Sequence, residues 1–238
     1  MSDAVSCPLL SVVVPLYNEQ DNIAELQREI AVALSGIDYE LVLVDDGSTD
    51  ATLERIQRGP NVRVLAFRQN AGQSAAMHAG INHARGSLIA TLDGDLQNDP
   101  ADIPAMMARL NEGAGFDLVC GYRAKRKDTP FKRLQSRIAN FVRSRFVGDG
   151  VRDTGCTLKL MRQPCREALL LFNGMHRFIP ALIRNMGYRV TELPVNHRPR
   201  VHGVSKYGFG NRALRATMDM LGIRWLNSRR ARYEIRSE

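Results

Sequence analysis

Two carboxylates stand one residue apart in the stretch ATLDGDLQNDP, at positions 90–100. Asp93 and Asp95 follow an apolar run, 87–92, and are therefore expected where a buried strand ends. Negative charges this close repel each other, and a divalent cation held between them turns the repulsion into attraction. The pair predicts a Mg²⁺ or Mn²⁺ site that water and substrate phosphates complete. The alternative is that these acids cap the helix expected after Pro100.

Polar side chains also follow the other strands that the pattern predicts. The segments are YNE (17–19), DDGSTD (45–50) and RQNAG (68–72). Tyr17 and Glu19 could hold a base and a sugar hydroxyl, although an aromatic ring here would equally suit the core. In the second segment, one acid could bind a ligand while Ser48 or Asp50 caps the next helix. Together the loops favour a shared ligand site.

The elements that position these loops are visible in the hydrophobic pattern. Short, β-branched apolar runs alternate with segments whose apolar residues recur at helical spacing. Strands are predicted at 9–15, 40–44, 62–67, 87–92 and 117–121, and helices at 22–34, 51–57, 72–84 and 103–111. The pattern predicts an α/β fold with an open, mostly parallel sheet and helices on both faces. In such a sheet ligands bind beyond the carboxyl ends of the strands, where these loops meet.

Charge is distributed unevenly along the 238 residues. Residues 1–121 contain 7 basic and 17 acidic side chains, whereas residues 122–238 contain 26 and 8. The first half suits a cation, and the second suits phosphate groups, a nucleic acid or an anionic membrane. Four cysteines without a C-x-x-C pair, and an N-terminus without a signal-peptide pattern, predict a reducing, cytoplasmic setting. The sequence lacks the glycine-rich motifs of dinucleotide folds and P-loops.

Several segments resemble a known family in their order and spacing. VVVPLYNEQDNI, YELVLVDDGSTDAT, RQNAGQSAAMHAGINHARG and ATLDGDLQNDP resemble family 2 glycosyltransferases with the GT-A fold. A narrower resemblance, to the polyprenyl-phosphate branch, rests on GYR (121–123), FKRLQSRIANF (131–141), RDTGCTLKLMR (152–162), MHRFIPAL (175–182) and PVNHRPRVHGVSKYG (194–208). That branch contains dolichol-phosphate mannosyltransferases and bacterial enzymes that load sugars onto undecaprenyl phosphate. The resemblance covers about residues 9 to 222.

The resemblance implies roles for particular residues. Those implied to bind the nucleotide sugar are Pro15, Tyr17, Glu19, Val44, Asp46 and Gln97, with Asp45 as a further acid beside them. Those implied to surround the cation are Asp93, Asp95 and Gln97. Arg123, Arg200 and Lys206 match basic residues around the donor and acceptor phosphates, and guanidinium groups suit phosphate oxygens. Asp153 matches an active-site acid, which could orient the acceptor, act as a base or cap a turn.

The leading hypothesis is a metal-dependent, inverting glycosyltransferase that moves a sugar from a nucleotide sugar to undecaprenyl or another polyprenyl phosphate, for envelope glycan or lipid A modification. The segments VNHRPR and SKYG favour a UDP-sugar over a GDP-sugar. A phosphate monoester is mostly ionised near neutral pH, so this acceptor needs no general base. One alternative keeps the donor site but uses a hydroxyl acceptor on a soluble glycan or protein, which makes Asp153 an essential base. Another is a non-catalytic, basic binding module.

Two segments are predicted to contact a membrane surface. Positions 123–145 carry nine basic residues and one acid, with apolar residues at helical spacing, as in a basic amphipathic helix. An ordinary helix packed on the sheet is the alternative, and positions 214–226 repeat the apolar pattern before RRAR. No run reaches the roughly 18 to 20 apolar residues that span a bilayer.

We therefore expect a GT-A catalytic domain at 1–212 and a basic amphipathic C-terminal helix and tail at 213–238, without transmembrane helices. The predicted location is peripheral, on the inner face of the cytoplasmic membrane, without a nucleic-acid partner; the oligomeric state is left open.

Overall fold

The computed structural model describes residues 7–113, 115–124, 146–199 and 212–229. The strands are β1 Leu10–Leu16, β2 Tyr39–Asp45, β3 Val62–Ala66, β4 Leu88–Thr91, β5 Leu118–Arg123, β6 Lys159–Arg162 and β7 Val190–Val195. The α-helices are α1 Ile23–Ala33, α2 Thr52–Arg55, α3 Gln73–His83, α4 Ile103–Leu110, α5 Ile179–Asn185 and α6 Arg212–Arg229. Short 3₁₀ segments cover Pro100–Asp102, Gln163–Ala168 and Met175–Arg177. Within these residues the seven strands form one sheet in the order β3-β2-β1-β4-β6-β5-β7.

Parallel pairing dominates the sheet. β1 pairs in parallel with β2 and with β4, β3 pairs in parallel with β2, and β7 pairs in parallel with β5. β6 is the exception, since it runs antiparallel to β4 and to β5. The predicted α/β fold with a mostly parallel sheet is confirmed, and each predicted strand is present with ends shifted by one or two residues.

The hydrophobic pattern did not predict β6 and β7. β6 is only four residues long and contains two basic residues, although it lies inside the sheet. β7 lies at the edge of the sheet, is only half-buried along most of its length and contains Pro194. Strands of this kind are stabilised by their neighbours rather than by their own apolar pattern, so the sequence carries little signal for them.

Helices cover both faces of the sheet because side chains of the central strands alternate between the faces. On one face Val12 and Leu43 belong to a buried cluster that α1 and α4 complete. On the other face Val13 and Ile89 belong to a second cluster that α3 and α5 complete. Since β1 to β4 all run in the same direction, their carboxyl ends place the polar loops along a single edge.

The C-terminal helix α6 packs on the second face through Ile223, which is 3% exposed, and through the partly buried Met220 and Leu226. The predicted apolar stripe faces outward instead. Its exposed members are Met218, Leu221 and Trp225. The helix therefore buries one apolar stripe against the protein and exposes another, and the basic amphipathic character expected of it stays a prediction.

The remaining predictions about the membrane concern residues that the structure describes only in part. Most of the basic segment 123–145 lies outside the described residues. Among the helices that are described, none combines the length and the apolar character needed to cross a bilayer. The division of the chain into 1–212 and 213–238 stays a prediction.

Candidate active site

The loop after β4 holds its residues in a tight, strained turn. Leu96 has a φ of +61°, in the left-handed region that bulky residues seldom adopt. A Cβ atom on Gly94 would lie 2.5 Å from Cδ2 of Leu16, so glycine permits the close approach of β1. Asp95 is 6% exposed, and its Oδ1 accepts the N–H of Gln97 at 3.2 Å. The turn thereby brings the carboxylate pair and the following glutamine to the edge of the sheet.

The carboxylate pair does not cap the helix that follows. In the part of the chain that the structure describes, that role belongs to Asp99, whose Oδ1 accepts the N–H of Ala101 at 3.0 Å. Asp99 stands at the start of the 3₁₀ segment Pro100–Asp102, directly before α4. The capping alternative is therefore wrong for Asp93 and Asp95, which leaves the cation hypothesis for the pair.

Several neighbouring groups shift the pKa of Asp93. Gln73, the first residue of α3, donates from Nε2 to Oδ1 of Asp93 at 2.7 Å. Burial, and then the charge of Asp95, raises the pKa of Asp93 to about 6, while a hydrogen bond from Thr157 and the charge of Lys159 lower it. A cation beside both carboxylates would remove their repulsion and favour the ionised form. A metal ion bound here would therefore compete with a proton near pH 6.

The donor set suits a hard divalent cation. Gln97 donates from Nε2 to the carbonyl of Arg198 at 3.3 Å, which turns its Oε1 away from that carbonyl. Two carboxylates and an amide oxygen are ligands that Mg²⁺ and Mn²⁺ accept, with water and phosphate oxygens in the remaining positions. The described residues contain no cluster of three or more His, Cys, Asp or Glu side chains that could hold a metal. A cation held by the predicted ligands would take water and phosphate oxygens in its remaining positions.

Hydrogen bonds join the loops after β1 and β2. Asn18 has a φ of +52°, and its Oδ1 accepts the N–H of Thr49 at 2.8 Å. Ser48 supports the same turn, because its Oγ accepts the N–H of Asn18 at 3.0 Å. Asp50 accepts the N–H of Thr52 at 2.9 Å, at the start of α2. Asn18 is thus a turn residue, and Asp50 rather than Ser48 makes the helix-start contact.

The residues predicted to bind the nucleotide sugar lie at the same edge of the sheet. Pro15 and Val44 are partners in the β1–β2 register, and both are buried. Val44 packs its side chain into the core. Tyr17 and Glu19 are half-buried in the loop that follows β1. Glu19 accepts a hydrogen bond from Nδ2 of Asn22 at 2.6 Å. Their contacts with a nucleotide stay predictions.

The two adjacent acids at the end of β2, Asp45 and Asp46, have different environments. Asp46 accepts the N–H of Ala71 at 2.7 Å, the N–H of Gly72 at 2.9 Å and Nδ2 of Asn70 at 2.9 Å. Asp45 is 3% exposed, and its Oδ1 has no hydrogen-bond partner in the described structure. A buried oxygen without a donor costs free energy, which a ligand N–H or O–H would recover. Asp46 thus orders the loop before α3, and Asp45 retains an acceptor oxygen. The nucleotide contact predicted for Asp46 stays a prediction.

Gly47 should not tolerate a side chain. Its φ is +67°, and a Cβ atom there would lie 2.6 Å from the carbonyl carbon of Gln69 and 2.7 Å from the amide nitrogen of Asn70. Both are backbone atoms, so the loops after β2 and β3 would have to separate. We expect Gly47→Ala to lower the free energy of unfolding by about 2 to 4 kcal/mol in urea denaturation. Titration calorimetry should also show weaker UDP binding, because the hydrogen bonds between Asp46 and the neighbouring loop would be weakened.

Gly36 provides a matched control for this substitution. It has a φ of +81°, but nothing lies within 4 Å of the added Cβ position. Gly36→Ala should therefore cost only about 1 kcal/mol, from backbone strain alone. Equal losses in the two variants would show that the backbone angle, and not the contact between the loops, sets the cost at Gly47.

Arg123 and Asp153 form a bidentate ion pair beside the carboxylates. Arg123 donates from Nε at 2.7 Å to one carboxylate oxygen of Asp153 and from a terminal nitrogen at 2.8 Å to the other. Asp153 also accepts the N–H of Gly155 at 3.2 Å. This hydrogen-bonded pair raises the pKa of Arg123, and the charge of Asp93 acts in the same direction. The charge of Asp93 reaches Arg123, so the ion pair lies within the electrostatic range of that carboxylate. A shared site for Asp93, Asp95, Arg123 and Asp153 stays a prediction.

Arg198 is a site residue that the sequence did not reveal. Its guanidinium lies 2.5 Å from Oε1 of Glu29 and 2.9 Å from Oδ1 of Asp99. Its backbone N–H donates to the carbonyl of Gln97 at 2.9 Å. These contacts attach the end of the PVNHRPR segment to the loop after β4 that contains Gln97 and Asp99. The predicted phosphate ligands Arg200 and Lys206 lie outside the described residues.

Lys159 is a second residue that was missed. It is 1% exposed in the middle of the sheet and donates from Nζ to the carbonyl of Cys156. Its charge acts on Asp93, so it belongs to the electrostatics of the site. A charged residue inside the apolar stretch CTLKLM is the signal that could have identified it, because lysine is rarely buried without a reason.

The chain is similar to a family of known proteins along most of its length. The family model described as Glycosyl transferase family 2 matches residues 11–169. Dodecaprenyl-phosphate galacturonate synthase from Rhizobium johnstonii is 42% identical over 241 residues, covering 97% of this chain and 71% of that protein. Undecaprenyl-phosphate 4-deoxy-4-formamido-L-arabinose transferase from Edwardsiella ictaluri is 42% identical over 215 residues, covering 87% of this chain and 66% of that protein. The chain spans about two thirds of the length of these relatives. They confirm the resemblance to the polyprenyl-phosphate branch.

Solved structures share the fold at low sequence identity. Glucosyl-3-phosphoglycerate synthase from Mycobacterium tuberculosis, in complex with Mn²⁺, uridine diphosphate and phosphoglyceric acid, superposes with a TM-score of 0.68 at 19% identity, covering 91% of this chain and 78% of that chain. The same enzyme with Mg²⁺ and uridine diphosphate gives 0.65 at 20% identity, covering 91% and 79%. The likeness confirms the GT-A fold.

Proposed function

Because the chain belongs to glycosyl transferase family 2 and is a glycosyltransferase by that membership, we propose that it transfers a sugar from a nucleotide sugar to a polyprenyl phosphate. One observation carries the choice of acceptor. Arg123 engages both oxygens of Asp153, the residue that a hydroxyl acceptor would need as a base. A phosphate acceptor needs no base and benefits from a guanidinium at this place. The prenyl phosphates in the names of the relatives support the same choice.

The proposed donor is a UDP-sugar bound at the edge formed by β1, β2 and β4. Tyr17, Glu19 and Asp45 would hold the nucleoside. Asp93, Asp95 and Gln97 would hold Mg²⁺ or Mn²⁺, which supplies positive charge to the diphosphate as it leaves. The related folds that were crystallised with UDP and either cation support this choice of donor and metal.

In the proposed reaction, an oxygen of the lipid phosphate attacks the anomeric carbon of the sugar. The new carbon–oxygen bond forms on the face opposite the diphosphate, whose bond to the sugar breaks, so the configuration inverts. No proton has to be removed, because the second pKa of a phosphate monoester is about 6. Two N–H groups of Arg123 bind Asp153, and the guanidinium carries further donors that suit phosphate oxygens.

This acceptor requires peripheral contact with a membrane, which we place at the inner face of the cytoplasmic membrane. The exposed stripe of α6 supports the contact. Met218, Leu221 and Trp225 lie on it, and Trp225 is 64% exposed. Tryptophan suits a membrane interface because its ring is apolar and its N–H is polar. Arg224, which stacks over the ring of Phe146 at 4.7 Å, adds positive charge nearby.

Transfer of a labelled sugar into the lipid phase tests the proposal. The chain is incubated with UDP- or GDP-sugars, Mg²⁺ or Mn²⁺, and undecaprenyl phosphate in anionic vesicles. We expect label in the organic phase only when a UDP-sugar, the lipid phosphate and a divalent cation are all present. EDTA should abolish the transfer, and either cation should restore it.

Undecaprenol, which has the same chain but no phosphate, is the matched control acceptor and should yield no product. Label in a soluble glycan or protein, without any requirement for lipid phosphate, would instead support the hydroxyl-acceptor hypothesis. Binding of UDP and metal without transfer from any nucleotide sugar would support the non-catalytic binding module.

A further inference from the structure

His176 lies in the segment MHRFIPAL, where the 3₁₀ segment Met175–Arg177 packs against α3. Nδ1 of its imidazole is 2.8 Å from Oγ of Ser74. The same Oγ accepts the backbone N–H of Gly174 at 2.9 Å. The hydroxyl of Ser74 therefore connects the first turn of α3 with the segment that carries the imidazole.

The hydroxyl of Ser74 determines which ring nitrogen carries a proton. Its oxygen already receives the N–H of Gly174, and the described residues offer its own proton no acceptor besides His176. The O–H of Ser74 therefore donates to Nδ1, which leaves the ring proton on Nε2. Burial, and then the charges of Arg177 and Lys159, lower the pKa of His176 to about 3, so the ring is neutral near pH 7. The imidazole is held as a neutral N–H donor.

The imidazole is connected to the carboxylate pair through two consecutive residues of α3. Gln73 and Ser74 are consecutive in α3, and Gln73 contacts Asp93 at 2.7 Å. Ser74 in turn contacts His176. The charge of Lys159 acts both on Asp93 and on His176. One turn of helix thus reaches the cation site with one side chain and the imidazole with the next.

The surroundings of His176 suit an anion. The charged groups that shift its pKa are Arg177 and Lys159, and both are cations. Nε2 makes no hydrogen bond to any of the described residues, and the ring is half-buried rather than sealed in the core. One acid is close by, since a Cβ atom on Gly174 would lie 3.1 Å from Oδ2 of Asp219. The charges that act on the ring itself are those of the two cations, so a neutral donor here is well placed to meet a negatively charged oxygen.

We propose that His176 donates a hydrogen bond from Nε2 to a phosphoryl oxygen of the bound substrate, and that Ser74 positions the ring for this contact. The inference rests on the proposed function, which supplies two sources of such an oxygen, the donor diphosphate and the acceptor phosphate. His176 is then a substrate-binding residue and Ser74 a positioning residue. The ring transfers no proton, because it stays neutral and the acceptor arrives ionised.

Three substitutions at His176 separate the hydrogen bond from the packing. Phenylalanine keeps a ring without a donor, glutamine places an amide N–H near the Nε2 position, and asparagine places one only near Nδ1. We expect His176→Phe and His176→Asn to lower kcat/KM by about 10- to 100-fold, as expected for a hydrogen bond to a charged oxygen. His176→Gln should remain within about fivefold of the wild type. Thermal unfolding identifies any variant that fails to fold, and the comparison of Gln with Asn does not depend on the Phe variant.

Binding measurements identify the phosphate involved. Weaker binding of UDP with Mn²⁺ in His176→Asn, measured by titration calorimetry, assigns the contact to the donor diphosphate. Unchanged UDP affinity with a raised KM for undecaprenyl phosphate assigns it to the acceptor. Equal activity of the Gln and Asn variants, whether high or low, overturns the proposal and reduces the ring to a packing element.

The tautomer can be measured without any activity. In protein labelled with ¹⁵N-histidine, the signal that disappears in His176→Gln belongs to this ring. We expect neutral imidazole protonated at Nε2 from about pH 6 to 8, and a mixture of tautomers in Ser74→Ala. A proton on Nδ1, or a charged ring at neutral pH, would contradict the proposal. If the wild type forms no lipid-phosphate sugar, the proposed function fails, whereas the spectra and the UDP titration still decide the role of His176.

Discussion

Asp93→Asn and Asp95→Asn should each reduce sugar transfer by at least about 10³-fold, because each removes half of the negative charge that would hold the cation on the leaving diphosphate. Initial rates at saturating UDP-sugar measure the effect, and calorimetry should show that UDP no longer requires Mn²⁺ to bind. Asp21→Asn is the control, since this carboxylate is 57% exposed in a surface pair with Arg55. Full activity of Asp95→Asn, with unchanged dependence on Mn²⁺, would show that the cation is held elsewhere.

Asp93→Asn should not weaken the metal-free fold. The pKa of Asp93 is raised from the ordinary value of 3.8 to about 6, so the folded chain binds this proton more tightly than the unfolded chain does. The wild type therefore loses stability as the pH rises from about 4 through 6, when the buried carboxyl ionises. The variant lacks this loss. Its melting temperature relative to the wild type should increase over that interval and become constant above about pH 7.

A difference in melting temperature that is the same at pH 4.5 and pH 8 would contradict this reading of Asp93. Mg²⁺ or Mn²⁺ provides the complementary measurement. Either ion should raise the melting temperature of the wild type at pH 8, and the increase should shrink as the pH falls through about 6, because protons compete for the ligand. Asp93→Asn should show little response to either ion at any of these pH values.

Arg123→Lys is expected to lower kcat/KM by about 100-fold, since a lysine cannot reproduce the planar fork that binds Asp153 and still presents donors to a phosphate. The pair is largely shielded from solvent, with side-chain exposures of 18% for Arg123 and 12% for Asp153. Arg55→Lys is the matched control, because Arg55 forms a surface pair with Asp21 in which both side chains are at least 50% exposed. The control should retain wild-type activity, as exposed ion pairs contribute little.

Asp153→Asn distinguishes the two kinds of acceptor. If the acceptor is a lipid phosphate, the variant should lose only about 10-fold, because Arg123 is held less firmly but no base is lost. If the acceptor is a hydroxyl, the loss should approach about 10⁴-fold, and the acidic limb of the pH profile should disappear. Rates measured from pH 5.5 to 9, with whichever of undecaprenyl phosphate or a soluble glycan or protein accepts the labelled sugar, decide between these outcomes. An unchanged pH profile is the result that supports the phosphate.

The parallel part of the fold was predictable from local patterns. β1 and β2 are nearly all apolar because both of their faces are covered, and α1 repeats apolar residues at helical spacing. Such patterns identify an element from its own residues. In a sheet whose strands run in parallel, the polar loops that follow those strands lie at one edge. β6 escaped prediction because it is stabilised by β4 and β5, which lie on either side of it.

The sequence by itself determined the fold class and the loops that share one edge of the sheet, and it predicted the carboxylate pair of DGDLQ as the place for a cation. The tertiary structure decided which side chains act together. Only the folded chain shows that Asp46 is occupied by the loop before α3 while Asp45 keeps a bare oxygen. Only there do Arg123 and Asp153, 30 residues apart, form a bidentate pair, and Ser74 and His176, 102 residues apart, share a proton-determining contact. The physical reason is that hydrophobic periodicity acts within one element, whereas these hydrogen bonds depend on how distant elements pack against each other.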